Sequence, residues 1–220
     1  MNQKIKEKVF AIIFFLAALT SIIAVALICF FLFANGLPAM KKIGFFEFVL
    51  GQNWSPQDVP PSFGIFPMII GSIYITAGAI IVGVPIGVLT AIYMARFCPR
   101  RIYKILKPAT DLLAGIPSVI YGFFGLVLIV PFIRTYFGGT GSSILAASLL
   151  LGIMILPTII GISESAIRAV DNSYYEGAVA LGATHERAVF YAVLPAAKSG
   201  ILAAVVLGVG LVVYLFMPRK

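Results

Sequence analysis

Five apolar runs constrain this chain more than any other feature, at about residues 9–33, 65–95, 112–133, 144–162 and 200–217. A helix rises about 1.5 Å per residue, so about 20 apolar residues cross the hydrocarbon core of a bilayer. In lipid every backbone amide and carbonyl needs a protein partner, which makes the helix the spanning structure for runs of this length. The expected fold is therefore all-α, a polytopic transmembrane helical bundle of about five spans. Composition agrees, with 61% hydrophobic and 11% charged residues. The 16 Lys and Arg against 8 Asp and Glu would suggest nucleic acid in a soluble chain. In a membrane protein the same excess marks cytoplasmic loops, so the lipid bilayer is the expected surrounding and no nucleic-acid partner is expected. Cys29 and Cys98 lie in different regions and imply neither a disulfide framework nor a metal site.

Taken in order, Lys4, Lys6 and Lys8 precede a first run that is too long for a signal-peptide core and lacks a small-residue cleavage pattern, so it reads as a retained span. Residues 34–64 read as a polar loop rich in Pro and Gly, and Phe45, Phe46 and the single Trp54 suit a membrane interface. The expected division is an anchor with an external loop over 1–64 and the main domain over 65–220. Ala79, Gly83, Gly87 and Ala91 recur every fourth residue and strip one face of the second span of bulk. Such faces let helix backbones approach closely, within one chain or in a homodimer. Gly200, Ala204 and Gly208 repeat the pattern in the fifth span, a natural partner for the second. Pro85 should kink the second span.

Arg96, Arg100, Arg101, Lys104 and Lys107 read as a basic loop held in the cytoplasm, with a phosphate-binding patch as an unneeded alternative. With the amino terminus inside, the inner segments carry eleven basic residues and the outer ones, with Lys41, Lys42, Arg134, Arg219 and Lys220, carry five. Gly138-Gly139-Thr140-Gly141 reads as a turn, and no G-x-x-x-x-G-K-[ST] occurs, so no ATP site or other cofactor is expected on this chain. No Asp, Glu, Lys, Arg or His falls inside the five runs as bounded, which leaves no charged ion path on the spans.

Residues 173–195 are the long polar segment between the last two runs. Ser173-Tyr174-Tyr175-Glu176 has the form of a capping box, Gly182 suits a left-handed helix end, Thr184 suits a second helix start, and Pro195 is expected to stop that helix. Glu176-Gly177-Ala178, then Gly182, then Leu194-Pro195 closely resemble the E-A-A, three residues, G, nine residues, I-x-L-P loop of ABC-transporter permease subunits, with Gly177 in place of the first Ala and Ala192 in place of Ile. In that family the loop docks into a cleft of the cytoplasmic ATPase. The resemblance thus implies that Glu176, Gly177, Ala178, Gly182, Leu194 and Pro195 belong to a coupling element.

A second stretch, Ala114-Gly115-Ile116-Pro117-Ser118-Val119-Ile120-Tyr121-Gly122-Phe123, resembles the G-I-P-S-V-x-Y-G-F segment of phosphate-specific permeases, and most closely their PstC-like members. Gly115, Pro117 and Gly122 should break helical regularity at membrane depth, where freed backbone groups need protein or a wet cavity. The hydroxyls of Ser118 and Tyr121 suit either an oxyanion or ordinary interhelical hydrogen bonds. Gly115, Pro117, Ser118 and Tyr121 are therefore the candidate substrate path.

The resemblance implies a MetI-like, type I ABC importer permease in a bacterial or archaeal inner membrane. It further implies a second permease subunit, two ATPase subunits that hydrolyse the ATP, and an external phosphate-binding protein, with phosphate as cargo. A molybdate or sulfate permease, or a non-transporting membrane protein, are the alternatives. Through Gly210 the chain follows the family. From Leu211 the expected Arg-Ala-x-Gly-Glu-Thr is replaced, and a sixth span does not follow. This reads as a frameshifted or truncated gene whose product inserts in the membrane but supports little or no phosphate uptake.

Overall fold

The computed structural model describes residues 3–216, with side chains over 7–213. Pro218, Arg219 and Lys220, on which part of the tail and charge expectations rest, lie outside the described residues, as do the side chains of Lys4 and Lys6. Two compact units result, residues 1–69 and 70–220.

In the first unit, α1 (Gln3–Ile43) runs through residues expected to start a loop, Pro38 included. Asn35 Nδ2 donates to the Phe31 carbonyl at 2.8 Å, and Thr20 and Ser21 bond back one turn in the same way. This back-bonding lets polar side chains ride on an apolar helix. Gly44, at φ 95°, turns the chain into α2 (Phe45–Leu50). The remainder of the expected loop holds a short antiparallel ribbon, β1 (Trp54–Ser55) on β2 (Ser62–Phe63), with the Trp54 and Phe63 rings edge to face at 6.0 Å.

The second unit is organised around α7 (Ile144–Arg168), which Ser143 caps by accepting from the Ala146 amide at 3.3 Å. On one side lies α3 (Phe66–Ile92), continuous through Pro85, with Ala79, Gly83, Gly87 and Ala91 buried. On another lies α10 (Leu194–Phe216), with Ala204 and Gly208 buried and Gly200 half-buried. The two small-residue faces were expected to meet each other. Instead α7 supplies the bulk opposite both. A Cβ on Gly83 would stand 2.7 Å from Ile155 Cδ1, and one on Gly87 2.8 Å from Ile159 Cγ2. A Cβ on Gly208 would stand 3.0 Å from Ile159 Cγ1, and one on Gly200 would strike Ala166. Isoleucines set into glycine notches gain dispersion contacts of about 0.1–0.2 kcal/mol per atom pair, the attraction available where lipid removes the hydrophobic drive. Leu151, Ile155, Ile159, Ala79 and Val212 form one buried cluster, so the chain beyond Gly210 takes part in the core.

Two expected boundaries move. The basic stretch after the second span is a π-helical turn (Tyr93–Phe97) followed by α4 (Arg100–Gly115), not a loop. Pro99, fixed near φ −60°, precedes a run rich in Arg, Lys and Leu, all good helix formers. The third span is α5 (Ser118–Phe124), a π-helical turn (Gly125–Ile129) and α6 (Val130–Phe137). Gly122 sits within helix and breaks nothing, and the interruption is confined to Ile116–Pro117, both extended. Gly138, Gly139 and Gly141 all adopt positive φ in the following turn. After α7 come α8 (Asn172–Ala180), α9 (His185–Ala188), a π-helical turn (Val189–Val193) and α10. Among the described residues five helical stretches are long and apolar enough to cross a membrane, Glu7–Ile43, Phe66–Phe97, Ser118–Phe137, Ile144–Arg168 and His185–Val213.

Candidate functional site

The polar segment folds into an elbow. Asp171, not Ser173, caps α8, its carboxylate accepting from the Ser173 amide at 2.8 Å. The Ser173 hydroxyl and amide hold the Asp171 carboxyl below its ordinary pKa. Glu176 does not complete a capping box, and its Oε1 accepts from the Asn172 side-chain amide at 3.1 Å. At the other end Gly182 has φ +85°. Its amide donates to Val179 O at 2.9 Å and the Ala183 amide donates to Ala178 O at 3.1 Å. These paired bonds form a Schellman closure, which needs the left-handed residue that Gly supplies without a Cβ clash.

Thr184 caps α9, accepting weakly from the Arg187 amide at 3.5 Å. Pro195 was expected to stop this second helix, yet the helix passes through it into the last span. Pro195 is the second residue of α10, directly after the π-helical turn at Val189–Val193, where the ladder is already irregular. The elbow is therefore one short helix, one tight turn and the start of a span. Leu181 and Tyr191, 91% and 81% exposed, flank a groove of about 460 Å³ that Ala178, Ala183, Arg187 and Ala192 also line. Of the expected coupling residues, Ala178 lines the groove, Gly182 forms the turn, Glu176 and Gly177 are exposed on α8, and Leu194 and Pro195 lie beyond it on α10.

His185 ties this elbow to the end of the second span. The Tyr175 hydroxyl lies 2.9 Å from His185 Nδ1, and His185 Nε2 lies 3.2 Å from the Arg96 carbonyl. A neutral ring carrying its proton on Nε2 satisfies both, donating to Arg96 and accepting from Tyr175. The Phe97 ring meets the imidazole edge to face at 4.9 Å. His185→Ala leaves a carbonyl and a hydroxyl short of a partner, so it is expected to cost about 1–3 kcal/mol. Thermal unfolding in detergent checks this, with His185→Gln expected to fall between the two because its amide reaches the Nε2 position.

The structure brings together a charge cluster that no sequence motif collects. Glu164, 2% exposed, accepts from the Tyr103 hydroxyl and from Arg168 Nε, both at 2.7 Å on Oε1. Lys107 Nζ stands 3.3 Å from Oε2, within ion-pair range though not aligned for a hydrogen bond, and 3.3 Å from Asp111. Arg168 also donates to the Met94 carbonyl at 2.8 Å and lies 4.4 Å over the Tyr103 ring. Arg96 donates to the Ile167 carbonyl at 3.1 Å. On α4 the hydrogen bond to Glu164 raises the Tyr103 pKa, with burial adding to it. Burial lowers that of Lys107, but the Glu164 and Asp111 carboxylates beside it outweigh this and raise it. A buried carboxylate stripped of one partner typically costs about 3–5 kcal/mol, so these contacts fix α4 against α7. The spans thus do carry a buried charge. Hydropathy ends the fourth run at Ile162, two residues short of Glu164, while the helix continues to Arg168. The Glu164/Arg168 and Lys107/Asp111 spacings of four were the available signal.

The candidate substrate path divides. Ser118 and Tyr121 line a cavity of about 140 Å³ with Met154, Pro157 and Thr158, while Gly115 and Pro117 are exposed beside it. The Tyr121 hydroxyl donates to the Leu113 carbonyl at 2.9 Å, which also accepts from the Ile116 amide at 3.3 Å, so the Tyr121 side chain spans the Ile116–Pro117 break. Thr158 was not anticipated, because a lone Thr in an apolar run carries no pattern.

A bundle of apolar helices interrupted at one Gly-Ile-Pro step, with a capped elbow entering its last span, defines a membrane transport subunit rather than a soluble module. Residues 83–218 match the model of the binding-protein-dependent transport system inner membrane component, and the chain belongs to that family. It is 40% identical to a probable ABC transporter permease protein, YqgH, of Bacillus subtilis, over 94% of this chain and 68% of the relative. It is 31% identical to the phosphate transport system permease protein PstC of Mesorhizobium japonicum, over 88% of this chain and 64% of the relative. The chain thus spans about two thirds of the length of these relatives. A chain from inward facing conformations of the MetNI methionine ABC transporter superposes with a TM-score of 0.53 at 25% identity, covering 68% of each chain.

Proposed function

We propose that this chain is a permease subunit of an ATP-driven phosphate importer. It would pair with a second, related permease, with two ATPase subunits that hydrolyse ATP in the cytoplasm, and with an external phosphate-binding protein. The observation that carries the reading is the elbow. A Schellman-closed helix offers exposed Leu181 and Tyr191 beside a groove, and the same backbone runs on without interruption into a span. A push on such an elbow is passed directly into the membrane. Phosphate as cargo is supported by the Gly115–Tyr121 segment and by the PstC relative.

The test is uptake. In cells lacking other phosphate importers, this chain carrying the family's Arg-Ala-x-Gly-Glu-Thr continuation and a sixth span after Gly210, expressed with its partner subunits, is expected to give ATP-dependent accumulation of labelled phosphate, unaffected by excess sulfate or molybdate. Competition by either oxyanion would reassign the cargo.

The reading also requires the amino terminus, α4 and the elbow to be cytoplasmic. A reporter fused after Lys104 is expected to be active only in the cytoplasm, and one fused near Trp54 only outside. The reverse pattern would take the elbow away from the ATPase.

A further inference from the structure

The Glu164 cluster lies between the elbow and the break in the third span, and neither of those sites uses it. Glu164 is one turn before the end of α7, and α7 leads through Ala169–Asp171 into α8. Tyr103 and Lys107 lie in the first half of α4, and α4 ends at the Gly115–Pro117 interruption. Arg168, from the same turn as Glu164, holds the Met94 carbonyl and so adds the end of the second span. One buried carboxylate therefore links three chain segments. Separating α4 from α7 would strip the buried carboxylate of the Tyr103 hydrogen bond and the Lys107 charge, leaving Arg168 as its one partner, whereas the neighbouring break in the third span has no such charged tie. That break is the extended pair Ile116–Pro117, where the helical ladder is interrupted.

We infer that Glu164 is a positioning residue that makes α4, the Tyr93–Phe97 turn and the cytoplasmic end of α7 one rigid body, so that displacement of the elbow is delivered to the Ile116–Pro117 break. The inference rests on the proposed reading as an ATP-driven permease. α4 is the lever in this arrangement. Its far end carries Leu113, whose carbonyl holds the Tyr121 hydroxyl at 2.9 Å, so a shift of α4 is felt at the cavity lined by Ser118, Tyr121 and Thr158.

Two measurements on the assembled transporter, its permease carrying the same continuation after Gly210, test it. In the first, Glu164→Gln keeps the side-chain shape and the Tyr103 bond but loses the charge that holds Lys107 and Arg168. ATP hydrolysis by the reconstituted complex is expected to persist, while inorganic phosphate imported per ATP falls on the order of tenfold, as loss of a coupling free energy predicts. A purely structural role would lower the yield or melting temperature of the complex and leave that ratio unchanged in what assembles, which would overturn the inference. A wild-type complex that never links hydrolysis to phosphate would instead overturn the transport reading, so the two failures are distinct.

The second measurement leaves the cluster intact and so does not depend on how Glu164→Gln folds. Spin labels at Arg101→Cys and Ser165→Cys, in a chain with Cys29 and Cys98 replaced by Ala, report on α4 against α7. Labels at Ser165→Cys and Val119→Cys report across the break. Between the nucleotide-free and vanadate-trapped complexes the first distance is expected to stay constant and the second to change. A first distance that changes as much as the second, or a second that stays constant, would show that α4 and α7 do not move together as a lever.

Discussion

Gly83→Leu is expected to prevent stable packing of the second span, with the largest effect of any single substitution in the bundle. A Cβ at this position would lie 2.7 Å from Ile155 Cδ1, 2.8 Å from Ile155 Cγ1 and 2.9 Å from the Gly152 carbonyl. The isoleucine tip could rotate away, but the carbonyl belongs to helical backbone of α7 and cannot. The branched remainder of a leucine must then push α3 outward along its whole small-residue face. Overpacking of a well-filled interior costs about 1–3 kcal/mol and more where backbone must shift, and dispersion contacts at Gly87 and Gly78 would be lost in addition. The measure is thermal unfolding of the detergent-purified chain, together with the fraction that survives membrane extraction. Gly161→Ala is the control. It lies in α7, with nothing within 4 Å of a methyl added there. It should be neutral or stabilising by about 0.5–1 kcal/mol, the usual difference between Ala and Gly in a helix. Equal effects at Gly83 and Gly161 would mean that the notch does not hold the bundle together.

The contrast between these two glycines also shows what could be read from residues alone. The four-residue spacing of Ala79, Gly83, Gly87 and Ala91 announces a close-packed face, because in lipid only small residues let backbones meet. It does not say which helix fills the face, and the pairing of two small faces was the wrong choice. Two stripped faces together leave voids, whereas Ile155 and Ile159 of α7 fill both. The five spans were legible because apolar length is a direct physical requirement. Their ends were not. Asn35 and Pro38 read as loop chemistry yet ride on α1, and Glu164 reads as lying outside a span yet is buried. For Asn35 and Glu164 the side chain finds a partner that hydropathy does not register, the Phe31 carbonyl for Asn35 and the Tyr103 and Arg168 donors with the Lys107 charge for Glu164. Gly182 was legible because a turn after a capped helix demands positive φ. Pro195 misled because a proline stops an ordinary helix, and the π-helical turn before it was invisible in the sequence.

Substitutions on the elbow are expected to abolish association with the ATPase while leaving the membrane bundle intact. Leu181 and Tyr191 are the two large hydrophobic side chains beside the groove, and neither is covered by the described residues of this chain. Burying two such anchors in a partner cleft makes them energetic hot spots, each worth about 2 kcal/mol or more on truncation. Leu181→Asp together with Tyr191→Ala is therefore expected to lower ATPase co-purification at least about a hundredfold, since about 1.4 kcal/mol is a factor of ten. Gly182→Val acts by a different route. Its methyls have open space, because no atom lies within 4 Å of a Cβ there, so the cost is confined to the backbone at φ +85°. A left-handed residue with a Cβ costs about 1–2 kcal/mol, and relief comes from opening the Schellman turn and re-aiming α8. Gly182→Asn, tolerated in that region, should retain most of the association. Glu176→Lys should lie closest to the parent in stability, since Glu176 is exposed and its side chain accepts from the Asn172 side chain, yet it reverses charge on α8 and is expected to weaken capture. Co-purification read beside the melting temperature separates the two causes. Unchanged capture by both the Leu181/Tyr191 pair and Gly182→Val, in complexes that melt normally, would remove the elbow from the coupling path.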